Sequence, residues 1–251
     1  MLLALSTPRP EGPEKLAAVP RPFVRDTGKN DITVPYPYQW NAAVDDLDTA
    51  RASDCPARWE DRNGSRVFWR GYCTGPVMHY LEPFWQSYTR YRITELSRAH
   101  NDTLDAGLSD RCVEGGGAGL PPADSMRGMC HHKFAMLVDG AVSSGRSSLY
   151  FHAGAVLLKH DSVYSEWSYT ALRPWVHYVP VREFMEDAAE QAEWVTRGAS
   201  PGALKCLRDN LEAFANQHIN KWSIAAYWWR VLTAYKRQQS EDARTAGFSP
   251  A

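Results

Sequence analysis

The stretch KFAMLVDGAVSSGRSSLYFHAGAVLLKH, residues 133–160, constrains the fold of this chain more than any other. An apolar run closed by Asp139-Gly140 leads into a loop of small residues, a short helical segment and a second apolar run ending at His160. That order is strand, loop, helix, strand, and a helical crossover between two strands lays them parallel. The same alternation precedes it: SRVFWRG, residues 65–71, is a β-branched and aromatic run closed by glycine, and RYRITELSRAH, residues 90–100, follows with helical character. HYVPV, residues 177–181, adds a further short strand. The expectation is an α/β fold, a Rossmann-like parallel sheet with helices on both faces.

From residue 183 the pattern turns helical. Phe184, Ala188, Ala192 and Val195 share one face, Arg197 falls in the last turn, and Gly198 suits the position just past the end. Ser200-Pro201 restarts a helix as N-cap and first-turn residue, with Leu204, Leu207, Leu211 and Phe214 spaced three and four apart. A last helix carries Trp222, Ala225, Trp229 and Leu232 on one side, a stripe expected to face the core. Residues 1–30, rich in proline and charge, are expected to be an extended lead-in, residues 31–238 the folded domain, and residues 239–251 a flexible tail.

The net charge is only -1, which argues against a polyanion-binding surface, so nucleic acid is not an expected partner. MLLALSTPRPEGPEK at the start has too short an apolar run for a signal peptide or a membrane span, so no direct membrane insertion is expected. The five cysteines lack C-x-x-C spacing, and their odd number leaves at least one unpaired within the chain. Cys130-His131-His132 is a poor metal site, because adjacent residues at a strand start point to opposite faces; no metal is expected. His152 and His177 read as satisfied core or rim residues. Asn63-Gly-Ser65 and Asn101-Asp-Thr103 are N-glycosylation tripeptides and lean toward the secretory pathway.

In doubly wound sheets, ligands bind outside the carboxyl ends of the strands, where the loops after Val138 and Arg70 fall. A glycine-serine loop entering a helix offers backbone N–H groups and the positive end of the helix dipole. Ser143 and Ser144 add hydroxyls and Arg146 a fork of donors, so the set describes a diphosphate cradle. The other reading is an N-cap serine with Arg146 in a surface salt bridge.

These segments, together with WEDRNGSRVFWRG and YSEWSYTALRPWVHYVPV, resemble glycosyltransferase family 90, the protein O-glucosyltransferase and capsule-associated (CAP10-like) group, over roughly Asp31 to Tyr235. The resemblance implies the C-terminal donor-binding lobe of a GT-B glycosyltransferase. It also implies inverting transfer of glucose or xylose from UDP-glucose or UDP-xylose to a hydroxyl of a protein or glycan acceptor. The endoplasmic reticulum or Golgi lumen is the implied compartment.

By the same resemblance, Ser144 and Arg146 meet the donor diphosphate while Gly140, Ala141, Val142, Ser143 and Gly145 line the nucleotide. Arg70 and Gly71 belong to the WRG run, and Tyr72 stands at a donor contact where serine is expected. Arg90, with Arg92 nearby, matches a further family arginine; Tyr36 or Tyr38, after Asp31 and Pro35, matches a donor-contacting tyrosine. Glu166 falls where such enzymes often hold a ribose, or else is a helix surface charge. The family base is an aspartate in a motif before Asp31 that no segment here resembles. Asp26 is the nearby candidate, and most of the acceptor lobe is expected to be missing.

Overall fold

The computed structural model describes residues 20–21, 25–26, 32–35, 40, 58–74, 88–109, 126–140 and 143–245. Its centre is a five-stranded, wholly parallel sheet. The strands are β4 (Asn63–Gly71), β5 (Leu104–Leu108), β6 (His132–Leu137), β7 (Val156–His160) and β9 (Val179–Val181), in the order β5-β4-β6-β7-β9. Two short pairings lie outside it. β1 (Pro20–Arg21) runs parallel to β3 (Ile32–Thr33), and β2 (Arg25–Asp26) runs antiparallel to β8 (Tyr164–Ser165).

Strand residues alternate between two cores because successive side chains leave opposite faces. Val67, Trp69, Phe134, Met136, Leu158, Val179 and Val181 face Ile93 of α1 (Thr89–Ala99). Ala188 and Ala192 of α3 (Ala188–Glu193) pack on the same side. On the other face, Phe68, Ala135, Leu137 and Leu157 meet Leu149 and Phe151 of α2 (Ser147–His152). Leu211 and Phe214 of α4 (Pro201–His218) and Ile224 of α5 (Lys221–Thr245) complete that layer. Helices on both faces of a parallel sheet are the arrangement the strand-helix alternation predicts.

Local signals hold at several ends. Ser200 caps α4, its hydroxyl accepting from the Ala203 N–H at 3.2 Å, and Pro201 occupies the first turn. Arg62 donates to the carbonyls of Ala153 and Gly154 at 2.9 and 2.6 Å, fixing the turn between α2 and β7. Gly154 has φ 66° there, a left-handed conformation that glycine adopts without strain. His152 Nε2 meets the Ile219 carbonyl at 3.0 Å and His177 Nδ1 accepts from the Arg173 N–H at 2.9 Å, so each ring is held through one nitrogen.

Several expectations need correction. The stripe of α5 expected in the core faces solvent: Trp222 and Trp229 are each 74% exposed, and Leu232 and Ala225 are exposed too. The helix is buried through Ile224 and half-buried through Tyr227 and Trp228, so a heptad-like spacing picked the wrong side. Phe184 is exposed and precedes α3; Met185, with φ 62°, turns into the core in its place. Gly198 does not follow α3 as a C′ residue, because the helix widens into a π turn over Trp194–Gly198 that Ala199 caps. A 3₁₀ turn, Met126–His131, leads into β6 and buries Met129 and Cys130. β9 starts at Val179, two residues later than expected, and α5 runs to Thr245, past the tail boundary expected at 239. The strand β5, an edge strand reading LDAGL, is not visible as a strand pattern in the sequence.

Candidate functional site

In the order β5-β4-β6-β7-β9, the chain leaves β4 for β5 on one side and then crosses to β6 on the other. The strand order therefore reverses between β4 and β6, and the crevice outside their carboxyl ends is the ligand position in open α/β sheets. Arg70, Gly71 and Tyr72 lie at one lip; Gly140 and the Ser143–Ser147 loop lie at the other.

Arg146 bridges the lips. Its Nη1 donates to the Arg70 carbonyl at 3.1 Å, and its guanidinium lies 5.9 Å from the Tyr150 ring centroid. Among the described residues no carboxylate pairs with it, which sets aside the surface salt-bridge reading. It occupies the N-cap position of α2 itself, with no side-chain cap. With only six residues, α2 carries a small macrodipole, so the positive charge at this edge is chiefly that of the side chain. Tyr150, fully buried below, has its phenol pushed above 10 by burial, while Arg146 and Arg90 pull it back.

Arg90 lies behind the strand ends. Only 8% exposed, it donates from Nε to the Asp139 carbonyl at 3.2 Å and from Nη2 to the Val138 carbonyl at 3.1 Å. Its Nη1 reaches the Tyr72 carbonyl at 3.2 Å and the Thr74 hydroxyl at 2.8 Å. It thus clamps the carboxyl ends of β4 and β6 together. Gly140 makes the clamp possible, since a Cβ there would stand 2.8 Å from Arg90 Cζ and inside the Thr74 hydroxyl.

Glu166 is neither helical nor exposed. It follows β8, is 2% exposed, and accepts from the Ser143 hydroxyl at 2.8 Å and the Ser147 hydroxyl at 2.5 Å. Buried Asp139 holds a third point of the loop, accepting the Ser144 N–H at 2.7 Å. Two buried carboxylates therefore set the shape of the loop that carries Arg146. Within it, the buried Ser144 hydroxyl has no partner among the described residues, and the same is true of the buried Trp69 indole N–H beneath Gly71. Buried polar groups are rarely left so, and at a ligand edge such orphans mark where a ligand or water completes the set.

Arg70 turns its guanidinium back along the sheet to Asp105, at 2.7 Å, and offers the crevice its carbonyl only. Tyr72 is 56% exposed at the rim. Gly145 has open space where a side chain would go. Tyr36, Tyr38, Ala141 and Val142 lie outside the described residues, as does Asp31. The backbone of Asp26 pairs with Tyr164, two residues before Glu166. Sequence reasoning missed Thr74, Ser147 and Asp139; the Asp-Gly pair closing β6 was a signal for the last, since a carboxylate just past a buried strand must find donors.

The family model described as Glycosyl transferase family 90 matches residues 38–246. The chain belongs to that family. Among the relatives of this family 90 chain, Protein O-glucosyltransferase 2 of Danio rerio is 28% identical over 66% of the chain and 35% of its own length. Protein O-glucosyltransferase 3 of Homo sapiens is 28% identical over 60% of the chain and 30% of its own length. Protein O-glucosyltransferase 1 of Rattus norvegicus is 26% identical over 79% and 47%. The family 90 chain thus spans about a third to a half of the curated relatives it matches.

Proposed function

We propose that this family 90 chain binds a UDP-sugar at the β4/β6 crevice and serves transfer of the sugar, glucose or xylose, to a hydroxyl of a protein or glycan acceptor with inversion. The observation that carries the proposal is Arg146: a guanidinium without a carboxylate partner among the described residues, fixed at the switch point of a parallel sheet. A cation held there matches the diphosphate of an activated sugar, with its fork of donors and the orphan Ser144 hydroxyl on the phosphate oxygens. As the glycosidic bond breaks, negative charge grows on the departing UDP. A preformed cation stabilises it without reorganising at that moment. Arg90 adds charge from behind the strand ends. With two guanidiniums in that role, transfer does not require a divalent metal, and chelation with EDTA should leave it intact. The lobe is the donor-binding half of a GT-B arrangement.

Secretory localisation agrees with the covalent chemistry. Cys73 and Cys130 are disulfide-bonded, Cys206 is free, and disulfides persist in oxidising compartments. The sequon asparagines Asn63 and Asn101 are both exposed, as glycosylation in the endoplasmic reticulum or Golgi lumen requires.

Calorimetry with UDP tests the site: binding to the wild type, and a loss of at least about tenfold with Arg146→Ala, are expected for charge-assisted bonds to phosphate. Unchanged affinity removes Arg146 from the site. A second reading, a UDP-sugar-binding module without transfer activity, is favoured by the acidic side chains at this edge. Asp139 and Glu166 are both buried and bonded to the loop, so neither is placed as the base that an acceptor hydroxyl needs. UDP binding with no turnover of donor over an acceptor panel selects the second reading.

A further inference from the structure

The sheet face that carries Ala135, Leu137 and Leu157 is apolar until its carboxyl edge, where it ends in charge. Lys159 pairs in register with Leu137, and Asp139 follows Leu137 by two residues. Lys159 is 7% exposed, and its ammonium donates to the His160 carbonyl at 3.2 Å. It sits 4.3 Å from the Tyr169 ring centroid and 5.7 Å from that of Tyr178. Tyr169 connects it to the loop, since its N–H donates to the Glu166 carbonyl at 3.0 Å. None of the roles assigned above uses this lysine.

Two carboxylates buried within one layer are costly unless a positive charge accompanies them. Arg90 does not meet this need directly, because it addresses the carbonyl of Asp139 and not its carboxylate.

We infer that Lys159 is a positioning residue of the nucleotide site: its buried charge offsets those of Asp139 and Glu166, and so holds the Ser143–Ser147 loop in the shape that aims Arg146. In support, Asp139, Asp161 and Glu166 all act on the Lys159 ammonium to favour its charged form, against the burial that lowers its pKa. The same Glu166 and Asp139 charges, after burial, push the Tyr169 phenol well above 10. The aromatic walls suit a cation that has given up water.

The inference rests on the UDP-sugar reading for its consequence but not for its geometry, so two readouts separate them. Amide hydrogen exchange over residues 143–147 is followed in nucleotide-free protein, and UDP affinity is measured by calorimetry. Lys159→Met, which keeps the bulk, should speed exchange at least about tenfold and weaken UDP by a similar factor, while Lys159→Arg should do neither. Adding Glu166→Gln to Lys159→Met should recover part of the loss, because the pair then lacks both charges; independent structural roles would instead multiply. Lys159→Met with wild-type exchange, or a double variant equal to the product of the singles, overturns the inference. Should Lys159→Met not fold, restored folding in the double variant supports it, and failure of both overturns it. Wild-type protein that binds no UDP refutes the proposed function alone, leaving the exchange result to judge Lys159.

Discussion

Gly71 lies so close to Arg146 that a Cβ on residue 71 would stand 3.3 Å from its Nη2, and 2.6 Å from Cζ2 of the buried Trp69. The glycine of the WRG run is therefore there to let two large side chains meet the strand end. Trp69 is packed within the sheet core and cannot retreat, so Gly71→Ala should cost about 1–3 kcal/mol of stability. It should also move Arg146 off the crevice and weaken UDP. Gly145→Ala is the control for stability: nothing lies within 4 Å of its Cβ position, and melting should shift by no more than about 0.5 kcal/mol. Thermal melts of the two variants check the contrast.

Charge alone and the guanidinium fork are separable at residue 146. Lysine keeps the cation but presents a point charge on a flexible stem, and it loses the simultaneous hold on the Arg70 carbonyl and a phosphate. Arg146→Lys should therefore bind UDP more weakly than wild type but more tightly than Arg146→Ala. Calorimetry at two salt concentrations checks it, with a shared salt dependence for wild type and lysine and a flatter one for alanine.

The parallel sheet was legible because β4, β6 and β7 carry the short buried apolar runs Val67–Trp69, Phe134–Leu137 and Val156–Leu158, with helical segments between them. The edge strand β5 was not, since an edge strand has few apolar neighbours to match and LDAGL carries none of the β-branched signal. At the site, Arg146 and its serines stood out as polar residues amid small ones. Glu166 and Lys159 are long-range partners, 19 residues beyond Ser147 and on a neighbouring strand, and no local pattern announces such a pairing. The α5 stripe failed for a related reason: period locates a face, but only tertiary packing decides which face is covered.

Ile224 is wholly buried against the sheet layer formed with Phe214 and Leu211, so Ile224→Ala should cost about 2–5 kcal/mol. Trp229→Gln, on the open side of the same helix, should change stability by no more than about 0.5 kcal/mol despite removing the larger side chain. Urea titration of both variants decides which face is core.

His160 makes stability depend on pH in a direction the geometry fixes. Its Nε2 faces the Glu183 carbonyl at 2.8 Å, and a carbonyl only accepts, so Nε2 carries the proton in the neutral ring. Nδ1 is buried without a partner among the described residues, and protonating it would strand a buried N–H. Burial accordingly holds the His160 pKa below its ordinary 6.5, with Lys159 acting in the same direction and Asp139, the Glu183 carbonyl and Asp161 opposing. Between that lowered value and 6.5 the unfolded chain binds the proton and the folded chain does not. Stability is thus fully present above pH 6.5 and is lost as pH falls through 6.5 toward the folded pKa, with a slope approaching about 1.4 kcal/mol per pH unit for one proton. His177, lowered chiefly by partial burial, contributes with the same sign, so the measurement is a difference. Urea midpoints from pH 7.5 to 5 should fall less steeply for His160→Gln than for wild type, and parallel curves would show that the ring takes up its proton as readily in the folded chain as in the unfolded one.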